Sequence, residues 1–382
     1  MTGEQSQDKQ IETPLASILK DQVAQKPITV GEYVDACLHH PKYGYYRNQA
    51  AIGQKADFIT APEISQVFGE LIGLWAAITW QAMGSPEHIN LVEIGPGRGT
   101  MMKDALRALR VVPAFCSAIH VHLIESNPVL RDIQSDTLEN DGLPLTWHHD
   151  LMAALGANGA VSTAPTILLA NEFLDTFPVE QFIKVGDKWD QRLVAMKNGA
   201  FVFENAPTAD PPVVPTHLVG HEKPDDIFEV CTGFENLARD ILAERALSSN
   251  LAALFVDYGH MNSGFGESLQ AVKEHNAVSV FHAPGESDLT AQVDFEAFTR
   301  HCRTSNAGGK RPLEVDGPVT QAAFLGALGI GARASRLMAS NPAIAGRIES
   351  GITRLMAPNG MGGLFKVCAV RSKTLPPLIG IA

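Results

Sequence analysis

The run LVEIGPGRGT, residues 91–100, has the residue types of a ligand-binding turn. An apolar segment ends in the carboxylate Glu93, and glycines at alternate positions follow before a helix-like run at 101–109. The glycines are Gly95, Gly97 and Gly99. Glycine is required where the chain turns sharply and brings its backbone close to a ligand, because a Cβ atom would collide there. A glycine-rich turn that binds nothing is the alternative interpretation of this segment.

Two cofactor classes use such a loop, and the spacing distinguishes them. Dinucleotide enzymes usually show GxGxxG, in which the third glycine packs helix against strand; here that position is Thr100. Glu93 would repel a pyrophosphate, whereas it suits the ammonium group of a methionine moiety. The loop therefore favours S-adenosylmethionine over NAD. The predicted cofactor-binding residues of the loop are Glu93, Gly95, Pro96, Gly97 and Gly99.

Acidic residues also follow the next two apolar segments. Glu125, with Ser126 beside it, comes directly after the segment at 120–124 and could accept hydrogen bonds from both ribose hydroxyls. Dinucleotide enzymes share this feature, so it indicates a nucleoside in general. Asp150 and Leu151 follow the third segment, where a carboxylate could bind the adenine amino group. Asp150 could equally be the N-cap of a helix.

Two further segments place polar residues where catalysis is expected. The fourth apolar segment ends in ANEFLDTFPV, so Asn171 should border the cofactor, and Glu172 and Asp175 could hold or deprotonate an incoming nitrogen. Capping of the next helix is the alternative for both carboxylates. The segment FVDYGH adds Asp257 and Tyr258, which could bind the acceptor or act in acid–base chemistry, although a strand-end Asp is often only a turn former. No convincing metal-ligand spacing occurs.

The elements that position these residues form an alternating pattern. Apolar runs of strand length at 90–94, 120–124, 145–148 and 166–170 are separated by segments long enough for helices. This alternation predicts an α/β fold with a parallel sheet covered on both faces. The pattern also predicts one long helix over 63–83 and a helix over 316–328.

Other segments depart from this alternation. Residues 13–38 predict two short helices broken at Pro27. Strand-like runs at 181–185 and 191–196 flank a turn at Gly186 and Asp187, which predicts an inserted antiparallel hairpin.

Composition limits the functional class. The chain has 382 residues, of which 45% are hydrophobic and 19% charged, the balance of a soluble globular protein. A formal charge of −12 argues against binding to nucleic acid and is compatible with a basic partner. The five scattered cysteines contain no CxxC pair, and no window has enough apolar residues to span a membrane. With no recognisable signal or transit peptide, we expect a cytoplasmic protein.

Several motifs, in order along nearly the whole chain from about Pro27, resemble the MidA-like family. They are HPKYGYY at 40–46, DFITAPEISQVFGELIGLW at 57–75, GPGRGT, ANEFLDTFPVEQF at 171–182, VDYGH, GESDLTAQVDF, GPVTQAAFLGALGI at 317–330 and GLFKVCAV at 363–370. The mitochondrial members of this family are protein-arginine methyltransferases that act as respiratory complex I assembly factors.

The resemblance implies an architecture. The fold would be a seven-stranded, Rossmann-like class I methyltransferase sheet with a helical N-terminal cap and the inserted antiparallel hairpin. The cap segment would cover residues 1–84, and the methyltransferase domain residues 85–382, with the insertion near 179–235. The substrate-binding residues inferred for the cap and for the sheet edge are Thr60, Pro62, Glu63, Ser65, Gln66 and Tyr258.

The resemblance also implies S-adenosylmethionine as the cofactor and symmetric dimethylation of an arginine on the complex I subunit that faces the quinone pocket. A guanidinium stays protonated at neutral pH, so an arginine enzyme needs carboxylates that orient it and accept its proton. Glu172, Asp175 and Asp257 are the candidate catalytic residues. A methyltransferase for a small molecule or another side chain, or a non-catalytic assembly chaperone that binds S-adenosylmethionine, is the alternative. Without a presequence the chain looks like a bacterial counterpart; its substrate and its oligomeric state stay open.

Overall fold

The computed structural model describes residues 10–47, 60–139, 142–161 and 163–381. The chain divides into two compact units. The smaller unit comprises the described residues within 10–47, 175–233 and 262–292, and the larger unit comprises those within 60–174, 234–261 and 293–381. This division differs from the expected boundary at residue 84, because residues 60–84 belong to the larger unit and the insertion shares a unit with the N-terminal segment.

The strands are numbered in chain order. They are β1 (Ile28–Thr29), β2 (Ile89–Ile94), β3 (Ile119–Ile124), β4 (Leu145–His148), β5 (Thr166–Asn171), β6 (Val179–Val185), β7 (Lys188–Lys197), β8 (Ala200–Pro207), β9 (Ile227–Cys231), β10 (Leu251–His260), β11 (Gln270–Lys273), β12 (Asn276–Val278), β13 (Asp288–Thr290), β14 (Val293–Asp294), β15 (Leu313–Thr320) and β16 (Phe365–Ser372).

The α-helices are numbered in the same way. They are α1 (Pro14–Gln25), α2 (Val30–His39), α3 (Ala61–Ile64), α4 (Gln66–Ala82), α5 (Thr100–Leu109), α6 (Pro113–Ala118), α7 (Pro128–Leu138), α8 (Leu151–Leu155), α9 (Gly233–Asn236), α10 (Glu244–Ser248), α11 (Phe295–Thr304), α12 (Gln321–Ala327), α13 (Ile330–Ser340), α14 (Ala345–Met356) and α15 (Met361–Leu364). A π-helical segment (Leu237–Ala243) joins α9 to α10, and single 3-10 turns lie at Tyr45–Arg47, Leu174–Thr176 and Pro342–Ile344.

The larger unit is built on one mostly parallel sheet. Its strand order is β15-β16-β10-β5-β2-β3-β4, and β14 pairs with the end of β10. Strands β4, β3, β2, β5 and β10 run parallel, whereas β16 and β15 are antiparallel to their neighbours. The predicted α/β fold with a parallel sheet is therefore confirmed. The sheet has eight strands where seven were expected, because the two-residue strand β14 pairs with Gly259 and His260.

Close packing of two helices fixes the position of α5 on this sheet. Every residue of β2 is buried, as expected for a parallel strand covered on both faces. On α4, a Cβ atom at Gly69 would lie 2.7 Å from the Cβ atom of Asp104, and one at Gly73 would lie 2.7 Å from the carbonyl oxygen of Ala105. Glycine at both positions thus lets α4 approach the middle of α5 closely.

Two predicted helices are present but begin later than predicted, at Gln66 and at Gln321. The helix expected over 63–83 is broken at Ser65, which has extended backbone (φ −155°, ψ 129°) and accepts the amide of Val67 with its hydroxyl at 3.3 Å. The segment 316–328 begins as a strand, since β15 continues to Thr320 before α12 starts. Asp316 forms a buried ion pair with Arg371 of the neighbouring strand, and this long-range contact outweighs the local helical pattern.

The smaller unit contains antiparallel sheets and the N-terminal helices. The two short helices predicted around Pro27 are α1 and α2. The predicted hairpin is also confirmed, as β6 and β7 pair on either side of residues 186–187. It belongs to a five-stranded sheet of order β1-β7-β6-β9, with β8 beside β7, and a separate sheet has the order β12-β11-β13. Among the described residues, no helix is long and apolar enough to cross a bilayer.

Candidate functional site

The carboxyl ends of the parallel strands lie in register along one edge of the larger sheet. Ile94 pairs with Ile124 on one side and with Ala170 on the other, and Asn171 pairs with Val256. Ligands of open α/β sheets bind beyond this edge. The glycine loop, Glu125 and Glu172, which follow these strands, and Asp257, which lies within β10, are thus brought to one edge, as their positions in the sequence predicted.

The glycine loop follows β2 and leads directly into α5. Gly95, Gly97 and Gly99 all have positive φ angles, of 62°, 54° and 78°. The amide of Gly95 donates to the carbonyl of Ile124 at 3.0 Å, which anchors the loop to β3. A Cβ atom built at Gly95 or Gly97 would meet no atom of the other described residues within 4 Å, its two chain neighbours apart. The turn therefore presents bare backbone to open space, which is what close approach of a ligand requires.

Glu93 is a buried carboxylate with one oxygen that has no hydrogen-bond partner among the described residues. The residue is 2% exposed, and its Oε2 atom forms no hydrogen bond within the described part of the chain. Burial raises the pKa of Glu93 to about 8. An unpaired buried carboxylate is costly, and a cationic group placed beside it would offset that cost. This atom therefore fits the ammonium group of a methionine moiety, and it lies directly before the glycine loop.

Glu125 lies at the end of β3 and is already partly bonded. Its Oε1 atom accepts the backbone amide of Asn127 at 2.7 Å, and its Oε2 atom accepts the side-chain amide of Gln134 at 3.4 Å. Burial raises the pKa of Glu125, although both hydrogen bonds oppose that rise. A carboxylate can accept about four hydrogen bonds, so capacity for ribose hydroxyls is retained.

Asp150 occupies the N-cap position of α8. Its Oδ1 atom accepts the amide of Ala153 at 2.7 Å, and the residue is exposed. The capping alternative considered for Asp150 is therefore observed. A contact between its second oxygen and an adenine amino group remains a prediction, as do the contacts of Ser126 and Leu151 with the cofactor.

Asn171 and Glu172 form an adjoining pair at the end of β5. The side-chain amide of Asn171 donates to Oε1 of Glu172 at 3.1 Å, and the buried Oδ1 atom of Asn171 has no partner within the described part of the chain. Glu172 has a φ angle of 52°, in the left-handed region that is uncommon for residues other than glycine. Such strain persists where surrounding structure enforces it, and it is concentrated at functional sites. The expectation that Glu172 only caps a helix does not explain this conformation.

Asp257 supplies that enforcement. Its Oδ2 atom accepts the backbone amides of Phe173 at 3.0 Å and Leu174 at 2.8 Å, and its Oδ1 atom accepts the amide of Tyr258 at 2.9 Å. The residue is 1% exposed. Asp257 thus fixes the turn that carries Glu172. The ring of Tyr258 packs at a tilt against Phe365, with centroids 5.8 Å apart.

Asp175 follows this turn and belongs to the smaller unit. Its Oδ2 atom accepts the hydroxyl of Thr290 at 3.1 Å. Burial raises the pKa of Asp175 to about 6, and the hydrogen bond from Thr290 opposes that rise. A carboxylate with this pKa accepts a proton more readily than an ordinary one near neutral pH.

The cap residues assigned to substrate binding lie around α3, in the larger unit, whereas Tyr258 lies on β10. Glu63 accepts the hydroxyl of Thr100, the first residue of α5, at 2.5 Å. Ser65 caps α4, and the side-chain amide of Gln66 donates to Glu70 at 3.2 Å. Thr60 and Pro62 precede Glu63 at the start of α3. The first part of the family motif, residues 57–59, lies outside the described residues. Helix α3 therefore borders the glycine loop through Glu63.

Gln134, Trp147 and Thr100 were not predicted as site residues. Gln134 contacts both the glycine loop and Glu125, and Trp147 in turn bonds to Gln134. One signal could have found Gln134: it lies four residues before Leu138, so the two share the inward face of α7 and are its buried residues. Within the described residues, no cluster of His, Cys, Asp and Glu side chains has the arrangement of a metal site.

The sequence is similar to known methyltransferases. A family model described as S-adenosyl-L-methionine-dependent methyltransferase matches residues 71–311. The protein arginine methyltransferase NDUFAF7, mitochondrial, of Xenopus tropicalis is 33% identical over 388 residues, which cover 93% of this chain and 86% of that relative. The human protein of the same name is 34% identical over 372 residues, covering 90% and 80% of the two chains.

A solved structure resembles the fold over nearly its full length. The crystal structure of a protein from Burkholderia thailandensis, bound to S-adenosyl-homocysteine, is 24% identical to this chain and superposes with a TM-score of 0.80. The match covers 97% of each chain. At this identity, the likeness establishes the fold.

Proposed function

The chain belongs to this family of S-adenosylmethionine-dependent methyltransferases, and we propose that it methylates an arginine side chain of a protein. The observation that carries the proposal is the strained conformation of Glu172, beside Asn171 and on a turn held by Asp257. The names of the relatives as protein arginine methyltransferases support the same acceptor.

The residues that would hold the cofactor are those at the glycine loop and the tip of β3. Glu93 would bind the ammonium group, the amides at the start of α5 the carboxylate, and Glu125 the ribose hydroxyls. S-adenosylmethionine supplies a methyl group already activated on a sulfonium. The chain then has to align the acceptor nitrogen, exclude water and leave that nitrogen with an available electron pair.

The carboxylates at the sheet edge suit a guanidinium acceptor. A guanidinium offers donors in a planar fork that matches a carboxylate, so Glu172 would orient the target arginine. The hydrogen bond from Asn171 fixes the carboxylate of Glu172 for that contact. Asp175, with its raised pKa, is the candidate to accept the proton that the arginine loses. Asp257 would act by positioning, because both of its oxygens accept backbone amides.

The wider setting is also part of the proposal. The substrate would be a respiratory complex I subunit. The cap segment would cover the cofactor and acceptor through Thr60, Pro62, Glu63, Ser65 and Gln66, and Tyr258 would contact the acceptor from the end of β10. The net charge of −12 is compatible with a basic target segment. A cytoplasmic location is supported by cysteines that are scattered and, throughout the described chain, form no disulfide.

Transfer of a radiolabelled methyl group tests this function. Purified protein and labelled S-adenosylmethionine are added to an extract of cells that lack the gene, and the labelled bands are analysed by mass spectrometry. We expect one labelled polypeptide that carries methylated arginine, with no label when Glu172→Gln replaces the wild type. Label confined to small molecules would instead support a small-molecule methyltransferase. No labelled product, despite measured cofactor binding, would support a chaperone without catalytic activity.

A further inference from the structure

Gln134 is a fully buried polar residue on α7. It lies beside the proposed binding site of the methyl donor, S-adenosylmethionine, which is called the donor site below. It has no measurable exposure, yet α7 is otherwise an amphipathic helix whose remaining buried residue is Leu138. A buried amide must satisfy its donors and acceptor, because each unpaired group costs free energy. The partners of Gln134 therefore indicate what it does.

Its hydrogen bonds join separate parts of the cofactor site. The Nε2 atom donates to the carbonyl of Gly97 at 2.7 Å and to Oε2 of Glu125 at 3.4 Å. The Oε1 atom accepts the indole N–H of Trp147, on β4, at 2.9 Å. One side chain thus connects the glycine loop, the tip of β3 and the adjacent strand.

Trp147 sets the orientation of this amide. An indole N–H can only donate, so it selects the oxygen of Gln134 and leaves both N–H groups facing Gly97 and Glu125. The carbonyl of Gly97 and the amide of Arg98 belong to one trans peptide and point in opposite directions. Holding the carbonyl therefore also fixes the direction of the Arg98 amide. Gly97, with a φ angle of 54° and no Cβ atom, would otherwise leave this peptide free to rotate.

We propose that Gln134 is a positioning residue for donor binding, which holds the Gly97 peptide and the Glu125 carboxylate in the arrangement that the cofactor requires, with Trp147 fixing its orientation. This inference rests on the donor site of the proposed function and is independent of the acceptor. If Gln134 were purely structural, it would only provide hydrogen bonds to the Gly97 carbonyl, the Glu125 carboxylate and the Trp147 indole. Its replacement would then lower the stability of the protein without changing the cofactor affinity of the folded molecules.

Calorimetric binding of S-adenosylhomocysteine separates these roles. Gln134→Met keeps the shape of the side chain and removes the amide, and we expect about tenfold weaker binding or more, the scale of a lost hydrogen bond to a charged group. Gln321→Met is the matched control. Gln321, the first residue of α12, is equally buried and donates to the carbonyl of Leu355 at 2.9 Å. It follows β15, which lies four strands from β2 in the sheet. Gln321→Met should lose stability and bind within about twofold of wild type.

Two further measurements make the test independent of the stability of Gln134→Met. Trp147→Phe leaves Gln134 in place but removes the donor that orients it, and should weaken binding about threefold or more. In a double-mutant cycle, Glu125→Gln should weaken binding about tenfold or more in the wild type and less than about threefold in the Gln134→Met background.

The outcomes are distinct. Weak binding by Gln134→Met, normal binding by Gln321→Met and a non-additive cycle would support the positioning role. Binding within about twofold of wild type by Gln134→Met or by Trp147→Phe, or effects that add fully in the cycle, would overturn it. Failure of the wild-type protein to bind S-adenosylhomocysteine would contradict the donor site itself, and this inference with it.

Discussion

The Oδ2 atom of Asp257 accepts the backbone amide of Leu174 at 2.8 Å, a contact that joins the ends of two neighbouring strands. The turn after β5 is thereby tied to β10. Because Glu172 lies on that turn with a φ angle of 52°, Asp257 contributes to the site by holding the turn.

The first prediction concerns this contact. Asp257→Asn replaces one accepting oxygen with an amide that cannot accept a backbone N–H, so the free energy of unfolding should fall by about 1–3 kcal/mol. Asp294→Asn, at the N-cap of α11, is the matched control and should change stability by less than about 0.5 kcal/mol, since Asn caps as well as Asp. Chemical denaturation measures both. Equal stability of the two variants would contradict the holding role of Asp257.

Substitution of Glu172 should affect methyl transfer and not stability, in contrast to Asp257. Asn adopts the left-handed conformation more readily than Glu, so Glu172→Asn should leave the free energy of unfolding unchanged or raise it by a few tenths of a kcal/mol. Methyl transfer by the same variant should be lost, because the shorter amide neither reaches nor pairs with a guanidinium. Denaturation and transfer assays on one preparation decide this, and a folded variant with wild-type transfer would remove Glu172 from the acceptor site.

Glu93 should make cofactor binding depend on pH. The pKa of Glu93 in the free protein is about 8, so near pH 6 to 7 the carboxyl is mostly protonated, whereas a bound ammonium group favours the ionised form. The affinity for S-adenosylhomocysteine should therefore rise from pH 6 to 8, by up to tenfold per unit, with release of a proton on binding. Calorimetry in buffers of different ionisation enthalpy measures both effects. Glu93→Gln should bind S-adenosylhomocysteine weakly at every pH, with no rise in affinity between pH 6 and 8 and no proton release on binding.

The same residue should influence the stability of the free protein. The folded-state pKa lies above the usual value of 4.5, so the folded protein binds more protons than the unfolded chain between these values. The contribution of Glu93 to stability thus falls as the pH rises from about 4.5 through about 8. In the absence of cofactor, Glu93→Gln should be less sensitive to pH over this range than the wild type. If the free energy of unfolding changed with pH in the same way in the wild type and in Glu93→Gln, the raised pKa of Glu93 would be contradicted.

Gly97 and Gly199 form a matched pair for testing the loop. Both have positive φ angles, 54° and 79°, and within the described part of the chain a Cβ atom at either would have no non-neighbouring atom within 4 Å. Alanine at either position should therefore cost about 1–2 kcal/mol of stability, from backbone strain alone. Gly97→Ala should additionally weaken S-adenosylhomocysteine binding at least about tenfold, whereas Gly199→Ala, between β7 and β8, should not. Equal affinity of the two variants would contradict the assignment of the loop.

The sequence predicted the parts of the molecule that depend on local pattern. The glycine loop, the strand that contains Glu93, the strands that precede Glu125 and Glu172, and the turn of the inserted hairpin follow from residue types and spacing, and the structure has them. The preference for S-adenosylmethionine over NAD and the resemblance to arginine methyltransferases are confirmed by the family and by the relatives.

The remainder depends on contacts between residues distant in the chain. Asp257 bonds to residues more than eighty positions away, so no local pattern separates a catalytic carboxylate from one that holds a turn. The strand β15 is specified by its pairing with β16, and the break at Ser65 by a single hydroxyl that caps α4. Gln134 was missed because a single glutamine within a helix is ordinarily exposed.

The most direct test of the proposed function is a comparison of methylated arginine sites in living cells. Cells with and without the gene are grown with isotopically labelled methionine, and their proteins are examined by mass spectrometry. The proposed function predicts a small set of arginine sites whose methylation is absent without the gene, returns with the wild-type gene and does not return with Glu172→Gln. Unchanged arginine methylation in cells that lack the gene, or full restoration by Glu172→Gln, would contradict it.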